Sequence, residues 1–222
     1  FRISSIEPNL LTNEIITFVA NSKKFVPHFH VPLQSGSNKI LKLMRRRYDR
    51  ELYAERVKEI RRQLPNACIG VDVIVGFPGE TGEDFQETYH FIKNLDVSYL
   101  HVFTYSERDN TPASEMLGVV SIEERRRRNE MLRILSEKKK RAFYEKYLGT
   151  EQAILFEAHK DSNKLTGFTE NYLKIEIPFK PGKTNTIGTV KLLSINENGD
   201  FDSEFIDHCE TVESFKKYKT HV

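Results

Sequence analysis

The chain has 222 residues, 38% of them hydrophobic, with 34 Lys and Arg against 32 Asp and Glu for a formal net charge of +2. That length holds one large domain or two smaller ones with real cores, and so small a net charge says little about partners, because charge is unevenly spread. Only Cys68 and Cys209 are cysteines, far apart and without ligand spacing; this excludes a disulfide scaffold, fits a cytoplasmic origin, and no apolar run nears the roughly 20 residues that would span a membrane.

Phe1–Pro8 alternates like a strand from its first residue, with no initiator Met. The expectation is a chain that begins inside a domain. Four strand-like runs follow the sequence: Arg2–Glu7, His28–Leu33, Ile69–Phe77 and Tyr99–Tyr105. Helical patterns separate them. Thr12 is placed to cap a helix with Ile15, Ile16 and Val19 on one face. Asn38 to Arg46 brings Ile40, Leu41 and Met44 together. Asp49 caps a longer pattern through Tyr53, Val57, Ile60 and Leu64 that Pro65 stops. Thr81 with Asp84 reads as a capping box, as does Ser121 with Glu124. The last of these helices carries Arg125–Arg128 and Lys138–Arg141 and is expected to close at Gly149. A charge run of this kind reads equally well as a solvated helix face.

After Gly149 the pattern changes. Glu151–His159, Lys164–Phe179, Thr186–Ile195 and Asp200–Ile206 are β-rich and joined by Asp, Asn, Gly and Lys turns. Strands alternating with helices predict a parallel sheet or barrel over 1–148. Short strands at turn spacing predict a small closed all-β barrel of the OB-like kind over 149–213, with a tail at 214–222.

The carboxyl ends of the strands are where a barrel does chemistry. They carry Glu7, Gln34-Ser-Gly-Ser37, Asp72 with the Gly76–Glu80 loop, and Tyr105-Ser-Glu-Arg108. Asp72 lies in an apolar run, where a lone charge is expensive, so it should face a polar ligand or an arginine such as Arg46 or Arg47. Ser35-Gly-Ser37 can open a helix and offer N–H groups to an anion. Glu80 reads either as a catalytic carboxylate or as a cap for the following helix. His28 and His30 share a strand face; they read as a metal pair or, with no Cys or carboxylate in sequence to complete a set, as packed histidines. There is no phosphate-loop signature and no nucleophile elbow.

Taken together, His30-Val-Pro-Leu-Gln-Ser-Gly-Ser37, Met44-Arg-Arg-Arg-Tyr48, Asp72-Val-Ile-Val-Gly-Phe-Pro-Gly-Glu-Thr81 and Phe103-Thr-Tyr-Ser-Glu-Arg108 with Thr111-Pro-Ala113 closely resemble the radical-SAM methylthiotransferases that modify tRNA. The resemblance spans residues 1–147, and the β-rich part then stands where that family has a TRAM domain, a small RNA-binding barrel. It implies the later half of a partial (βα)6 radical-SAM barrel of the TIM-like kind. It also implies S-adenosyl-L-methionine, a four-iron–four-sulfur cluster that reduces it to a 5′-deoxyadenosyl radical, and a second 4Fe-4S cluster for sulfur delivery. The product implied is a methylthio group at C2 of an N6-modified adenosine beside the anticodon. A reductant such as flavodoxin or ferredoxin and a sulfur donor would be needed.

Carried over by position, Gln34 and Arg46 resemble contacts to the methionine end of the cofactor, Asp72 a ribose-hydroxyl acceptor and Glu7 a further polar contact. Gly76 would let backbone approach the adenine, Phe103 and Tyr105 would wall it, and Arg108 would sit on the substrate side. Lys138, Lys139, Lys140 and Arg141, with Lys174, Lys180 and Lys183, would meet RNA, aided by Phe168 and Phe179. Ser35 after Pro-Leu-Gln favours tRNA over ribosomal-protein substrates, where that family typically has His. Arg2–Pro8 and His101-Val-Phe103 look more like enzymes acting on threonylcarbamoyladenosine than on isopentenyladenosine.

Three features depart from the family. Both clusters need grouped cysteines, one set spaced Cys-x-x-x-Cys-x-x-Cys, and Cys68 and Cys209 supply neither; the chain by itself is expected to be inactive. Asp109-Asn110 stand where Pro-Gly is usual. Residues 151–212 hold six Lys against eleven Asp and Glu, acidic for an RNA-binding barrel. A nucleic-acid-binding module without catalysis is therefore the alternative. An unrelated barrel hydrolase or aldolase lacks a nucleophile, a Schiff-base lysine or a metal set.

Overall fold

The computed structural model describes residues 1–158 and 163–206. His159, Cys209, the expected end of the second domain at 213 and the tail at 214–222 lie outside the described residues. The chain divides into two compact units, Phe1–Lys146 with Glu170–Tyr172, and Tyr147–Thr169 with Leu173 onward.

The first unit is built on three parallel strands, β1 (His28–His30), β2 (Cys68–Val75) and β3 (Tyr99–Thr104), in that order across the sheet. Helices α1 (Asn13–Asn21), α2 (Asn38–Leu43), α3 (Arg50–Gln63), α4 (Gly82–Asn94) and α5 (Ile122–Glu145) surround it. Their starts follow local chemistry. The side chains of Thr12, Asp49 and Ser121 each accept an N–H from the first turn, and Thr81 and Asp84 cap each other reciprocally. Ile69, Val71, Val73 and Val75 of β2 point to one side and join Phe29, Phe85, Ile92 and Leu132 in the core. Each such side chain contributes roughly 1.5–3 kcal/mol of burial. Gly70, Asp72 and Ile74 alternate onto the other face.

Some elements differ from expectation. Arg2–Glu7 is not a strand: Ile3 makes an isolated bridge to Phe29, and the segment meets β1 through His30 N–H to Ile3 O and Ile6 N–H to His30 O, too few bonds for a ladder. β1 stops at His30 rather than Leu33, although Val31 N–H and Leu33 N–H still donate to Gly70 O and Asp72 O of β2. Gln34 then makes an isolated bridge to Val73. α5 ends at Glu145, before Gly149. Gly149 instead sits at φ 75° and donates to Leu192 O. Among the described residues no helix is long and apolar enough to cross a membrane.

In the second unit β4 (Glu151–Ala158), β5 (Lys164–Thr169), β6 (Lys174–Pro178), β7 (Ile187–Ile195) and β8 (Phe201–Phe205) close into a barrel in the order β4-β5-β6-β8-β7. The run Lys164–Phe179 is two strands, β5 and β6, folded antiparallel. β6 and β8 pair in parallel and the other neighbours antiparallel. Alternate residues fill the interior: Ile154, Phe156, Leu165, Ile175, Val190 and Phe201 are all buried. The small closed barrel expected from the strand pattern is thus present.

Candidate functional site

Parallel register stacks the second face of the sheet in layers. Gly70 lies opposite Tyr99, Asp72 opposite His101 and Ile74 opposite Phe103. His28 and His30 of β1 point to this face as well. Gly70 is a packing necessity here, since a Cβ would come within 2.4 Å of the Tyr99 hydroxyl.

The middle layer is polar. His30 Nε2 lies 2.9 Å from Asp72 Oδ1, and the His101 ring stacks on His30 with centroids 5.4 Å apart. The alternative that Asp72 pairs with Arg46 or Arg47 is therefore corrected: its partner is an imidazole from the neighbouring strand. His30, Asp72 and His101 each offer a ligand atom within 4.8 Å of the others. The carboxylate that sequence spacing could not supply to His30 comes from β2. This set has the composition that binds transition metals, and equally that of a hydrogen-bonded group holding one carboxylate in place. Burial, with His30 beside it, lowers the His101 pKa against the pull of Asp72. His28 is buried deeper, 3.3 Å from the Tyr99 hydroxyl. Desolvation, with Arg2 and His30 nearby, lowers its pKa to about 4, so it is neutral near pH 7, and it stands outside the group of His30, Asp72 and His101.

Beyond the carboxyl ends of β2 and β3 opens a cavity of about 1350 Å³. Met44, Ile74, Phe77 and Phe103 give it apolar walls, and Tyr105 and Thr104 continue from β3. Of the predicted contacts, Arg46, Phe103, Tyr105 and Arg108 line this cavity; Glu7, Gln34, Asp72 and Gly76 do not. Arg46 donates to Glu7 Oε1 at 3.0 Å, yet its buried Nε has no hydrogen-bond partner among the described residues. The buried Tyr105 hydroxyl is likewise unpartnered. Both belong to residues that line the cavity.

The loops hold further corrections. Gln34 adopts φ 69°, with its N–H on Asp72 O and its carbonyl accepting from Ile74, which locks it into the sheet edge. The N–H groups of Gly36 and Ser37 are not free for an anion, because they bond to Thr88 Oγ1 and Ser35 Oγ. Gly76 sits at φ 77°, but a Cβ there would meet Arg125 Cγ at 2.3 Å. The closeness it permits is to an arginine of α5, not to an open ligand space. Glu80 does not cap the following helix, which Thr81 and Asp84 cap. Its carboxylate accepts from Gly76 N–H and Arg128, each at 2.6 Å, in a buried pair. Burial pushes its pKa up against the pull of those donors.

The basic runs of α5 are mostly committed. Arg125 donates to Tyr105 O at 2.9 Å and Glu107 at 2.5 Å; Arg128 holds Glu80 and Glu124. Lys139 donates to Lys93 O and Leu95 O at the end of α4, and desolvation lowers its pKa. Arg141 pairs with Glu145, and Lys140 lies over the Tyr144 ring. Lys138 stays exposed. In the barrel, Lys174 pairs with the buried Asp200 at 2.6 Å, while Lys180 and Lys183 lie 4.8 and 5.7 Å from the Phe205 ring centroid. Phe179 is half-exposed.

The model of the Radical SAM superfamily matches residues 2–92. Over those residues the chain is similar to the radical SAM superfamily, and most of the chain is similar to tRNA methylthiotransferases. It is 40% identical over 196 residues to the threonylcarbamoyladenosine tRNA methylthiotransferase MtaB of Bacillus subtilis strain 168, covering 86% of this chain and 44% of that protein. The Aquifex aeolicus protein of the same name is 44% identical over 79% of this chain and 42% of its own. The tRNA-2-methylthio-N(6)-dimethylallyladenosine synthase of Endomicrobium trichonymphae is 36% identical over 88% and 45%. The chain spans less than half the length of these relatives. Among solved structures, coproporphyrinogen III oxidase (HemN) from Escherichia coli, described as a radical SAM enzyme, aligns with TM-score 0.46 and 16% identity over 64% of this chain and 31% of that one.

The radical SAM segment includes one cysteine, Cys68, whose burial pushes its thiol up to about 12. It is an inert core residue on β2, so the residues present fit a polar cofactor but not an iron–sulfur cluster.

Proposed function

We propose that this chain is the cofactor- and substrate-binding part of a tRNA methylthiotransferase acting on N6-threonylcarbamoyladenosine beside the anticodon. The observation that carries this reading is the 40–44% identity, over most of the chain, to proteins named for that reaction. Relatives named for the dimethylallyl nucleoside are less alike, at 34–38%. Residues 1–148 serve as the radical SAM part and 149–213 as a TRAM domain, with tRNA as partner and, for the complete enzyme, a reductant, a sulfur donor and two 4Fe-4S clusters.

Reductive cleavage of S-adenosylmethionine at a cluster supplies the radical chemistry when both are bound. This chain supplies the binding. The Arg46 guanidinium is a fork for the methionine carboxylate, with Glu7 holding it in place and its spare Nε facing inward. Asp72 accepts the ribose hydroxyls through the oxygen that His30 leaves open, and His30 fixes the carboxylate's orientation. Gln34 adds a polar contact at the sheet edge. Phe103 and Tyr105 exclude water around the adenine. Two cysteines cannot ligate either cluster, so the chain alone does not cleave the cofactor.

The test is nucleoside mass spectrometry on tRNA from the source organism with the gene deleted. Loss of the methylthio mark from threonylcarbamoyladenosine is expected. Loss from the isopentenyl nucleoside would move the substrate, and no change would sink the tRNA reading. In parallel, Arg46→Ala and Asp72→Ala weaken S-adenosylmethionine binding in equilibrium dialysis while circular dichroism stays native.

A further inference from the structure

We propose that Lys42, Arg45 and Arg108 form an anion subsite at the mouth of the cavity, and that its ligand is a carboxylate carried on the N6 substituent of the modified adenosine. This rests on the tRNA reading above and adds the residues that choose the base. The cavity is lined by five basic side chains, Lys39, Lys42, Arg45, Arg46 and Arg108, and by no Asp or Glu. Two of the five are already committed, Lys39 to Asp84 at 2.7 Å and Arg46 to Glu7 at 3.0 Å. Among the described residues, Lys42, Arg45 and Arg108 form no ion pair.

Arg45 stands out for its backbone. α2 ends in a Schellman turn, with Arg46 N–H on Leu41 O and Arg45 N–H on Lys42 O. Arg45 occupies the left-handed position of that turn, at φ 56°. Glycine is the residue that meets this geometry without steric cost. An arginine there carries strain that packing does not reward, since the residue is exposed. Strain kept at a cavity mouth points to a ligand.

The shape of the site separates a base substituent from the RNA backbone. Phosphates lie along a convex strand, whereas this is a concave space with apolar walls that suits a splayed-out base. A carboxylate takes paired donors from arginine. A neutral branched-alkyl substituent would bring three cations out of water with nothing to meet them, which discriminates against it.

The test is fluorescence anisotropy of this chain with three synthetic anticodon stem-loops. One carries N6-threonylcarbamoyladenosine, the second its methyl ester, the third N6-dimethylallyladenosine. The acid is expected to bind roughly tenfold tighter than either neutral form, the scale of one charge-assisted contact. Arg45→Gly and Arg108→Gln each abolish that preference while leaving affinity for the ester unchanged, and Arg45→Gly unfolds at no lower temperature than the parent. Equal binding of all three overturns the proposal and leaves the tRNA reading standing. So do variants that weaken all three alike with a shallower salt dependence, because the cations then hold phosphates. Failure of every stem-loop to bind overturns the proposal and the tRNA reading together.

Discussion

α5 carries the densest basic sequence in the chain, and the cavity mouth the most scattered. Their availability is the reverse of their density. On α5, Arg125, Arg128 and Lys139 are spent on backbone carbonyls and carboxylates of neighbouring segments, and Arg141 on its own helix. At the cavity, Lys42 and Arg45 come from the end of α2 and Arg108 from the loop after β3, and among the described residues they form no ion pair. A run of like charges in sequence is thus a poor guide to where an anion will find a free cation. Burial and the reach of each side chain decide it.

The sharpest test of that contrast is Arg128→Ala. It leaves Glu80 buried without its partner and should cost roughly 3–5 kcal/mol in urea unfolding, while Arg126→Ala, on the exposed side of the same run, stays within about 0.5 kcal/mol. Equal effects would break the distinction. His28 shows what burial does to a cation with no acidic partner. Its folded pKa of about 4 lies below the ordinary 6.5, so the unfolded state binds the proton more readily. Stability is therefore full above pH 6.5 and falls on acidification toward pH 4, by roughly 3 kcal/mol from this group. His28→Gln should flatten the pH dependence of the urea midpoint across that window. Next comes Lys139→Met, which removes the cap on the end of α4 for about 1 kcal/mol, where Lys138→Met costs nothing measurable. Lys138→Met should instead lower the salt slope of tRNA binding. The smallest effect has the opposite sign: Arg45→Gly should stabilise the fold by about 0.5–1 kcal/mol, because glycine meets φ 56° freely.

What the sequence revealed was local. Asp49, Thr81 and Ser121 are caps whose partners lie three residues away, and β2 and β3 announce themselves as apolar runs, so both were found within a residue or two. What it hid was set by distant pairing. Ser35-Gly-Ser37 looked like an open anion cradle because Thr88, which fills it, is about fifty residues on. The meeting of His30, Asp72 and His101 depends on the register of three strands, which no local pattern states. Arg46, Phe103, Tyr105 and Arg108 were legible as a group because the family resemblance carried them over together, and all four line one cavity. At Gly76 glycine permits a close approach, and the sequence did not say that Arg125 makes one.

That close approach has a consequence for how the site can change. The aliphatic stem of Arg125 fits where a Gly76 side chain would be, and its guanidinium grips Tyr105 O and Glu107. One side chain therefore bolts the loop after β2 to the first residues after β3. Residues 105–107 belong to the frame, and the stretch from Arg108 to Met116 hangs from it as an interchangeable part. That stretch can change without disturbing the frame, whereas any side chain at position 76 would unfasten both loops at once.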